Sequence, residues 1–146
     1  TTTTRDTILY TGAQVVGGCL GAVVANLMFE LPAVELSTKD RSSPALWLSE
    51  VVATVGLLLV IQGCVRTGRA RAVPFAVGAW IGAAYWFTSS TSFANPAVTV
   101  ARTLSDTFAG IAPSSAPMFI VMQLVGAFLA FGLIRLFYPH RESSDV

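Results

Sequence analysis

The sequence predicts an all-α membrane protein: four transmembrane helices and one re-entrant half-helix in a single domain over residues 1–146. Three observations carry this. Of 146 residues, 53% are hydrophobic and only 12% are charged, against about 25% charged in a typical soluble domain. Mean hydropathy is +0.66. The apolar residues gather in four long runs, with the charges between them. A soluble fold covers its surface with charge, so this composition excludes a soluble enzyme and a disordered chain. A net charge of +1 offers no basic field for nucleic acid.

The runs follow in order: roughly Thr7–Phe29, Leu46–Cys64, Ala72–Phe87 and Ala116–Phe137. About 20 helical residues cross about 30 Å of hydrocarbon, and the first, second and fourth runs meet that length. The third is short, but Arg71 can snorkel and Thr88–Ser90 can extend it. Arg5 precedes the first run, Arg66, Arg69 and Arg71 share one loop without an acidic partner, and Arg135 and Arg141 close the last. The positive-inside rule puts these, and so the C-terminus, in the cytoplasm. The mixed-charge loop Glu30–Pro44 then lies outside. Tyr10, Trp47, Trp86 and Tyr138 sit near run ends, where an aromatic belt forms.

Gly17–Gly21 and Gly78–Gly82 each contain a GxxxG pattern, expected at helix contacts. Cys19 and Cys64 lie inside apolar runs without metal-ligand spacing and read as buried small hydrophobes. The segment Gln14-Val15-Val16-Gly17-Gly18 echoes Gln123-Leu124-Val125-Gly126-Ala127, a weak sign of repeated helical units. Thr1–Thr4 is not a signal peptide, and without an initial methionine the chain is expected to have lost its N-terminal part. No catalytic set is visible. His140 stands alone in the polar tail, Ser89, Ser90 and Ser92 have no neighbouring base, and Glu50 and Asp106 lack partners for acid–base work. No metal or cofactor is implied.

Thr88–Pro113 is long for a helix–helix loop and largely apolar in its first half. Asn95 is a good N-cap, and Pro96 is a favoured first helical residue. A helix from Pro96 to about Ser105 would be about 15 Å long, half a bilayer. This predicts a re-entrant segment over about 88–106. An extended Ser92–Ala94 enters from outside and the half-helix starts near the midplane. Irregular backbone at that depth is tolerated only inside protein or beside a water-filled cavity. The helix aims its positive dipole end at the midplane, with the Asn95 amide as donor and the preceding carbonyls as acceptors. That is the physics of a pore for uncharged, hydrogen-bonding solutes.

At these residues the sequence resembles the aquaporin and glycerol-facilitator (major intrinsic protein) family. Asn95-Pro96-Ala97 matches its NPA motif, set between a short span and a last span. The resemblance covers the C-terminal part of the family's fold, its third to sixth spans with the second NPA loop. Gln14 and Gln123 resemble the openings of the third and sixth spans, and Glu50 with Thr54 resembles the start of the fourth. The first two spans and the first NPA loop are not represented.

The resemblance implies roles. Glu50 would accept hydrogen bonds from backbone N–H groups of the re-entrant loop. Ala83, Ser92 and Val98 fall at the constriction, where water-selective members carry His and Arg at the places of Ala83 and Val98. The small, apolar residues here imply a wider constriction. Asn95, Val98, Thr99 and Arg102 share one helix face. Arg102 either supplies positive charge at the outer mouth or pairs with Asp106. The function implied is a passive channel for water and small uncharged solutes such as glycerol. Alternatives are a metalloid (arsenous acid) channel of the broad-pore type and a truncated, non-conducting membrane fragment. The expected setting is the plasma membrane, with lipid and neutral solutes as partners, and a homotetramer in the complete protein.

Overall fold

The computed structural model describes residues 3–138. The expectations for His140, Arg141 and the cytoplasmic C-terminus fall outside the described residues. Five α-helices and no strands are present among them: α1 (Thr4–Met28), α2 (Pro44–Arg66), α3 (Val73–Phe87), α4 (Pro96–Ala101) and α5 (Ala116–Phe137).

Local chemistry sets the helix ends. At α1, Thr3 Oγ1 accepts from the Asp6 N–H, and the Asp6 carboxylate accepts from the Thr3 N–H, a reciprocal capping box. At α2, the Ser43 side chain caps and Pro44 takes the first helical position. The α2–α3 turn passes through Gly68 at φ 73°, a left-handed conformation that glycine adopts without a Cβ clash. Helices α1, α2 and α5, of 25, 23 and 22 residues, are long and apolar enough to cross a membrane. Helix α3 has 15 residues, about 22 Å of rise. A 3₁₀ turn, Ala70–Ala72, leads into it.

Helix α2 lies along α5 and also packs on α3, while α4 is wedged between α1 and α5. Close approach depends on three glycines. A Cβ at Gly126 would lie 2.9 Å from the Val51 carbonyl oxygen and 3.0 Å from Thr54 Cβ. A Cβ at Gly18 would lie 3.1 Å from Ala101 Cβ. A Cβ at Gly56 would fall into the ring of Trp80, whose Nε1–H donates to the Ala53 carbonyl at 3.0 Å. The GxxxG glycines Gly17, Gly21, Gly78 and Gly82 meet no other described side chain or chain segment within 4 Å. Among the described residues, contact depends on which face meets the neighbour, and spacing alone does not give that face.

The apolar core is small: Phe93, Ile111, Ala116 and Phe119, with Leu46, Trp47 and Val98 packed against it. Trp47 thus joins the core instead of an interfacial belt, while Trp86 is exposed. Cys19 and Cys64 are half-buried free thiols, less enclosed than expected. Most large apolar side chains of α1 and the outer face of α5 are exposed, as lipid-facing surfaces are.

The stretch between α1 and α2 has no regular structure, yet it is stitched to the segment after α4. Glu35 N–H donates to the Leu104 carbonyl (3.1 Å), Ser37 N–H to Thr103 (2.9 Å), and Ala112 N–H to Lys39 (2.8 Å). Buried Asn26 adds Nδ2–H bonds to the carbonyls of Leu104 (2.9 Å) and Ala33 (3.3 Å).

Gly56→Ala must push Trp80 off the Ala53 carbonyl. Overpacking of this kind costs about 1–3 kcal/mol. The variant is expected to melt at lower temperature in detergent, while Gly132→Ala, with open space at its Cβ position, melts like the parent.

Candidate functional site

The re-entrant segment does not enter as extended chain. Thr91, Ser92 and Ala94 have φ of 64°, 48° and 50°, left-handed values unfavourable for residues with a Cβ. Each such residue costs about 1–2 kcal/mol, so something must hold them. Glu50, on α2, is fully buried. Its Oε1 accepts from Ser90 Oγ–H (2.6 Å) and Phe93 N–H (3.0 Å). Its Oε2 accepts from Ala94 N–H (2.9 Å) and Gln123 Nε2–H (2.7 Å). Collecting two successive N–H groups on one carboxylate requires the tight, left-handed course seen here. The expected extended limb would have pointed those N–H groups apart.

A second string of bonds runs from Glu50 to the helix start. Gln123 Nε2–H also donates to Thr99 Oγ1 (2.8 Å), and Thr99 Oγ1–H donates to the Asn95 carbonyl (3.0 Å). Asn95 is the N-cap of α4: its Oδ1 accepts from Ala97 N–H (2.7 Å) and Val98 N–H (3.4 Å). Its Nδ2 donates to no described group. The amide therefore caps with its oxygen and keeps its donor available. Pro96 occupies the first helical position and Ala97 is buried behind it. The half-helix is shorter than the expected run to Ser105: α geometry ends at Ala101 and a 3₁₀ turn covers Arg102–Leu104. The Ile111 N–H binding the Arg102 carbonyl and the strap bonds at Thr103 and Leu104 capture its last carbonyls.

A cavity of about 800 Å³ lies beside this segment. Val98 and Arg102 line it, with Tyr85 of α3 and Asn26 and the small face Gly18, Gly21, Ala22 of α1. The other two constriction candidates are not on its wall. Ala83 is exposed on α3, and Ser92 is buried with its Oγ shut off and unpartnered.

Arg102 makes no pair with Asp106. Thr38 N–H (2.9 Å) and the Thr38 hydroxyl occupy the Asp106 carboxylate. The Arg102 guanidinium instead lies over the Phe93 ring, its Cζ 4.2 Å from the ring centre. Its Nη1 is buried without a partner.

Arg41, in the strap between α1 and α2, escaped the sequence reading. It is 2% exposed. Its Nε donates to the Gly110 carbonyl (2.7 Å), Nη1 to Ser90 (2.9 Å) and Nη2 to Phe108 (2.9 Å). It thereby clasps both the incoming and outgoing limbs of the re-entrant segment. Its only sequence signal was an arginine in an otherwise balanced loop. The Ser42 and Ser115 hydroxyls hold neighbouring Asp40 below the usual carboxylate range. No group of His, Cys, Asp and Glu among the described residues is arranged to hold a metal ion.

Glu50→Gln puts an N–H₂ group where an acceptor oxygen stood. A buried N–H left unsatisfied costs about 1–3 kcal/mol. Amide exchange at Phe93 and Ala94 is expected to accelerate about 5- to 150-fold by this measure. Peptide-level hydrogen–deuterium exchange reads it directly.

A family model described as "Major intrinsic protein" matches residues 47–146. Among curated proteins, Aquaglyceroporin AqpS of Rhizobium meliloti (strain 1021) is 50% identical over 140 residues, 95% of this chain. The chain spans 60% of that relative's length. No solved structure matches.

Proposed function

Because the chain belongs to the major intrinsic protein family, and is by its helices a multi-pass membrane protein, we propose that it lines a passive channel. The solutes are water and small uncharged molecules such as glycerol. The observation that carries this reading is Asn95, whose oxygen caps a short half-helix while its N–H₂ donates to no described group. Beside it, the positive end of the half-helix disfavours cations. The printed name of the relative, an aquaglyceroporin, supports the glycerol part of the reading.

Each residue then has a role. Asn95, with Pro96 and Ala97 shaping the turn, donates to a passing solute oxygen. Glu50 holds the limb before it. Val98, half-buried on the cavity wall, narrows the path, while Ala83 and Ser92 lie off that wall. Arg102 supplies a cation at the outer mouth. A wall this apolar at Val98 also suits neutral trihydroxides such as arsenous acid, the second reading. The channel works in the plasma membrane with its C-terminus in the cytoplasm, and its exposed apolar helix faces meet lipid and sister copies in a homotetramer.

The test is stopped-flow light scattering on proteoliposomes, with water, glycerol and arsenous acid gradients in separate runs. Flux above empty liposomes, altered in Asn95→Asp, is expected. Flux equal to empty liposomes overturns the channel reading for this chain. Val98→Arg is expected to cut glycerol flux about tenfold, equivalent to about 1.4 kcal/mol in the barrier, and water flux by less. Equal effects on both solutes would remove Val98 from the constriction.

A further inference from the structure

The charges of this chain separate by end. Helices α2 and α5 run parallel: Gln123 meets Glu50 in their first halves, and a Cβ at Gly63 would lie 3.2 Å from the Tyr138 hydroxyl at their finish. Helix α1 runs the other way, since Asn26 near its C-terminus binds the carbonyls of Ala33 and Leu104 beside the strap. One end of the bundle therefore gathers Arg5, Arg66, Arg69, Arg71 and Arg135, and Asp6 is the one acid there among the described residues. The tail after Tyr138 adds Arg141, Glu142 and Asp145 by sequence. With all of these ionised, six arginines stand against three carboxylates. The other end has the opposite balance: Lys39, Arg41 and Arg102 against Glu30, Glu35, Asp40, Glu50 and Asp106.

The turn between α2 and α3 is the centre of the basic end. Its backbone is tied down. The Thr67 N–H and hydroxyl both donate to the Gly63 carbonyl (3.1 and 2.8 Å), Arg69 N–H to Cys64 (2.8 Å) and Ala72 N–H to Arg69 (2.8 Å). Its three guanidiniums are exposed and make no hydrogen bond or ion pair with a described group. Arg66 has a helical reason to be there: it ends α2, where a cation meets the negative pole of the helix. Arg69 and Arg71 lie past that helix and have no such reason. Arg135 closes α5 at this end and is laid over its own Phe131, Cζ 4.6 Å from the ring centre. Large apolar side chains stand among these arginines: Val65, Phe75, Leu136 and Phe137 are all exposed. A partner that suits this surface offers phosphate to the guanidiniums and hydrocarbon to the apolar side chains. Free phosphate offers only the first, and a phospholipid offers both. The guanidinium fork matches the two free oxygens of a phosphate diester. A zwitterionic lipid offsets its phosphate with its own ammonium, so the positive excess here favours a lipid of net negative charge.

We propose that the α2–α3 turn is a binding site for the headgroup of an anionic phospholipid, with Arg69 and Arg71 holding the phosphate. Arg66 and Arg135 add charge beside it, and Phe75 rests against the acyl chains. This requires that the chain crosses a membrane and not that it conducts. Each basic residue near an anionic surface strengthens the attraction about fivefold, so Arg69 and Arg71 together account for about 25-fold.

The whole chain, purified in detergent, is titrated with phosphatidylglycerol or phosphatidylcholine of matched acyl chains, and bound lipid is counted by native mass spectrometry. The parent is expected to bind phosphatidylglycerol at least about tenfold more tightly. Arg69→Gln combined with Arg71→Gln is expected to remove most of that preference. Neither guanidinium has a described partner, so this double variant is expected to melt with the parent in phosphatidylcholine nanodiscs. Phosphatidylglycerol nanodiscs are expected to raise the melting temperature of the parent and not of the variant, as a ligand of the folded state does. A further chain adds Glu30→Gln and Glu35→Gln, exposed acids of the opposite end, and so restores the parent's net charge. Its affinity is expected to stay as low as the double variant's. Equal affinity of the parent for the two lipids overturns the proposal, and so does an unchanged preference in the double variant. Recovery in the charge-restored chain overturns it as well, since net charge and not a site would then set binding. A double variant that melts below the parent in both kinds of nanodisc would make these arginines structural, with the same consequence. Inorganic phosphate at millimolar concentration is expected to leave phosphatidylglycerol bound. Its displacement would make the turn a site for free phosphate and overturn the lipid assignment.

Discussion

One carboxylate holds the irregular part of this fold. Four donors converge on Glu50: a hydroxyl, two successive main-chain N–H groups and a side-chain amide. In hydrocarbon, a main-chain N–H without a partner costs several kcal/mol, and the limb from Ser90 to Ala94 has no helix or sheet to supply partners. Burying an ionised group is itself expensive, and its cost is recovered only when every lone pair is engaged. The limb and the carboxylate therefore require each other. Neither would be stable at this position alone.

The requirement propagates outward. Gln123 reaches Glu50 only because α5 lies against α2, and that contact is possible because Gly126, one turn further along, has no side chain to hold the helices apart. Gln123 then passes the constraint to Thr99 and the Asn95 carbonyl, so the N-cap of the half-helix is fixed from the same centre. On the other side, Ser90 is held between Glu50 and Arg41. The glycine, the carboxylate and the half-helix are thus one mechanical unit built from four separate stretches of chain.

The fold class and the family were legible because they rest on local quantities. Apolar run length reveals a membrane helix, and an Asn-Pro pair ahead of a short apolar stretch reveals a capped helix start. Glu50 was legible through the family resemblance, which implies a carboxylate that takes up N–H groups of the re-entrant loop. What could not be read depends on distant pairs. Arg41 looks like any loop arginine until the strap between α1 and α2 is folded onto residues nearly 50 to 70 positions away. The left-handed course of Thr91, Ser92 and Ala94 has no glycine to announce it, because its cause lies on another helix. The early end of α4 has the same origin: its last carbonyls are claimed by partners the sequence does not place beside them.

The strap between α1 and α2 is joined by main-chain groups of Glu35, Ser37 and Lys39, every second residue. Such bonds are indifferent to side-chain identity. The exposed Leu36 between them is therefore free to vary in chemistry, but the number of residues is not. An extended chain turns successive side chains to opposite faces. Adding or removing a single residue between Lys39 and Arg41 would rotate the guanidinium out toward water and leave three carbonyls unclaimed. Across relatives of this chain, the strap should drift in composition while keeping its length.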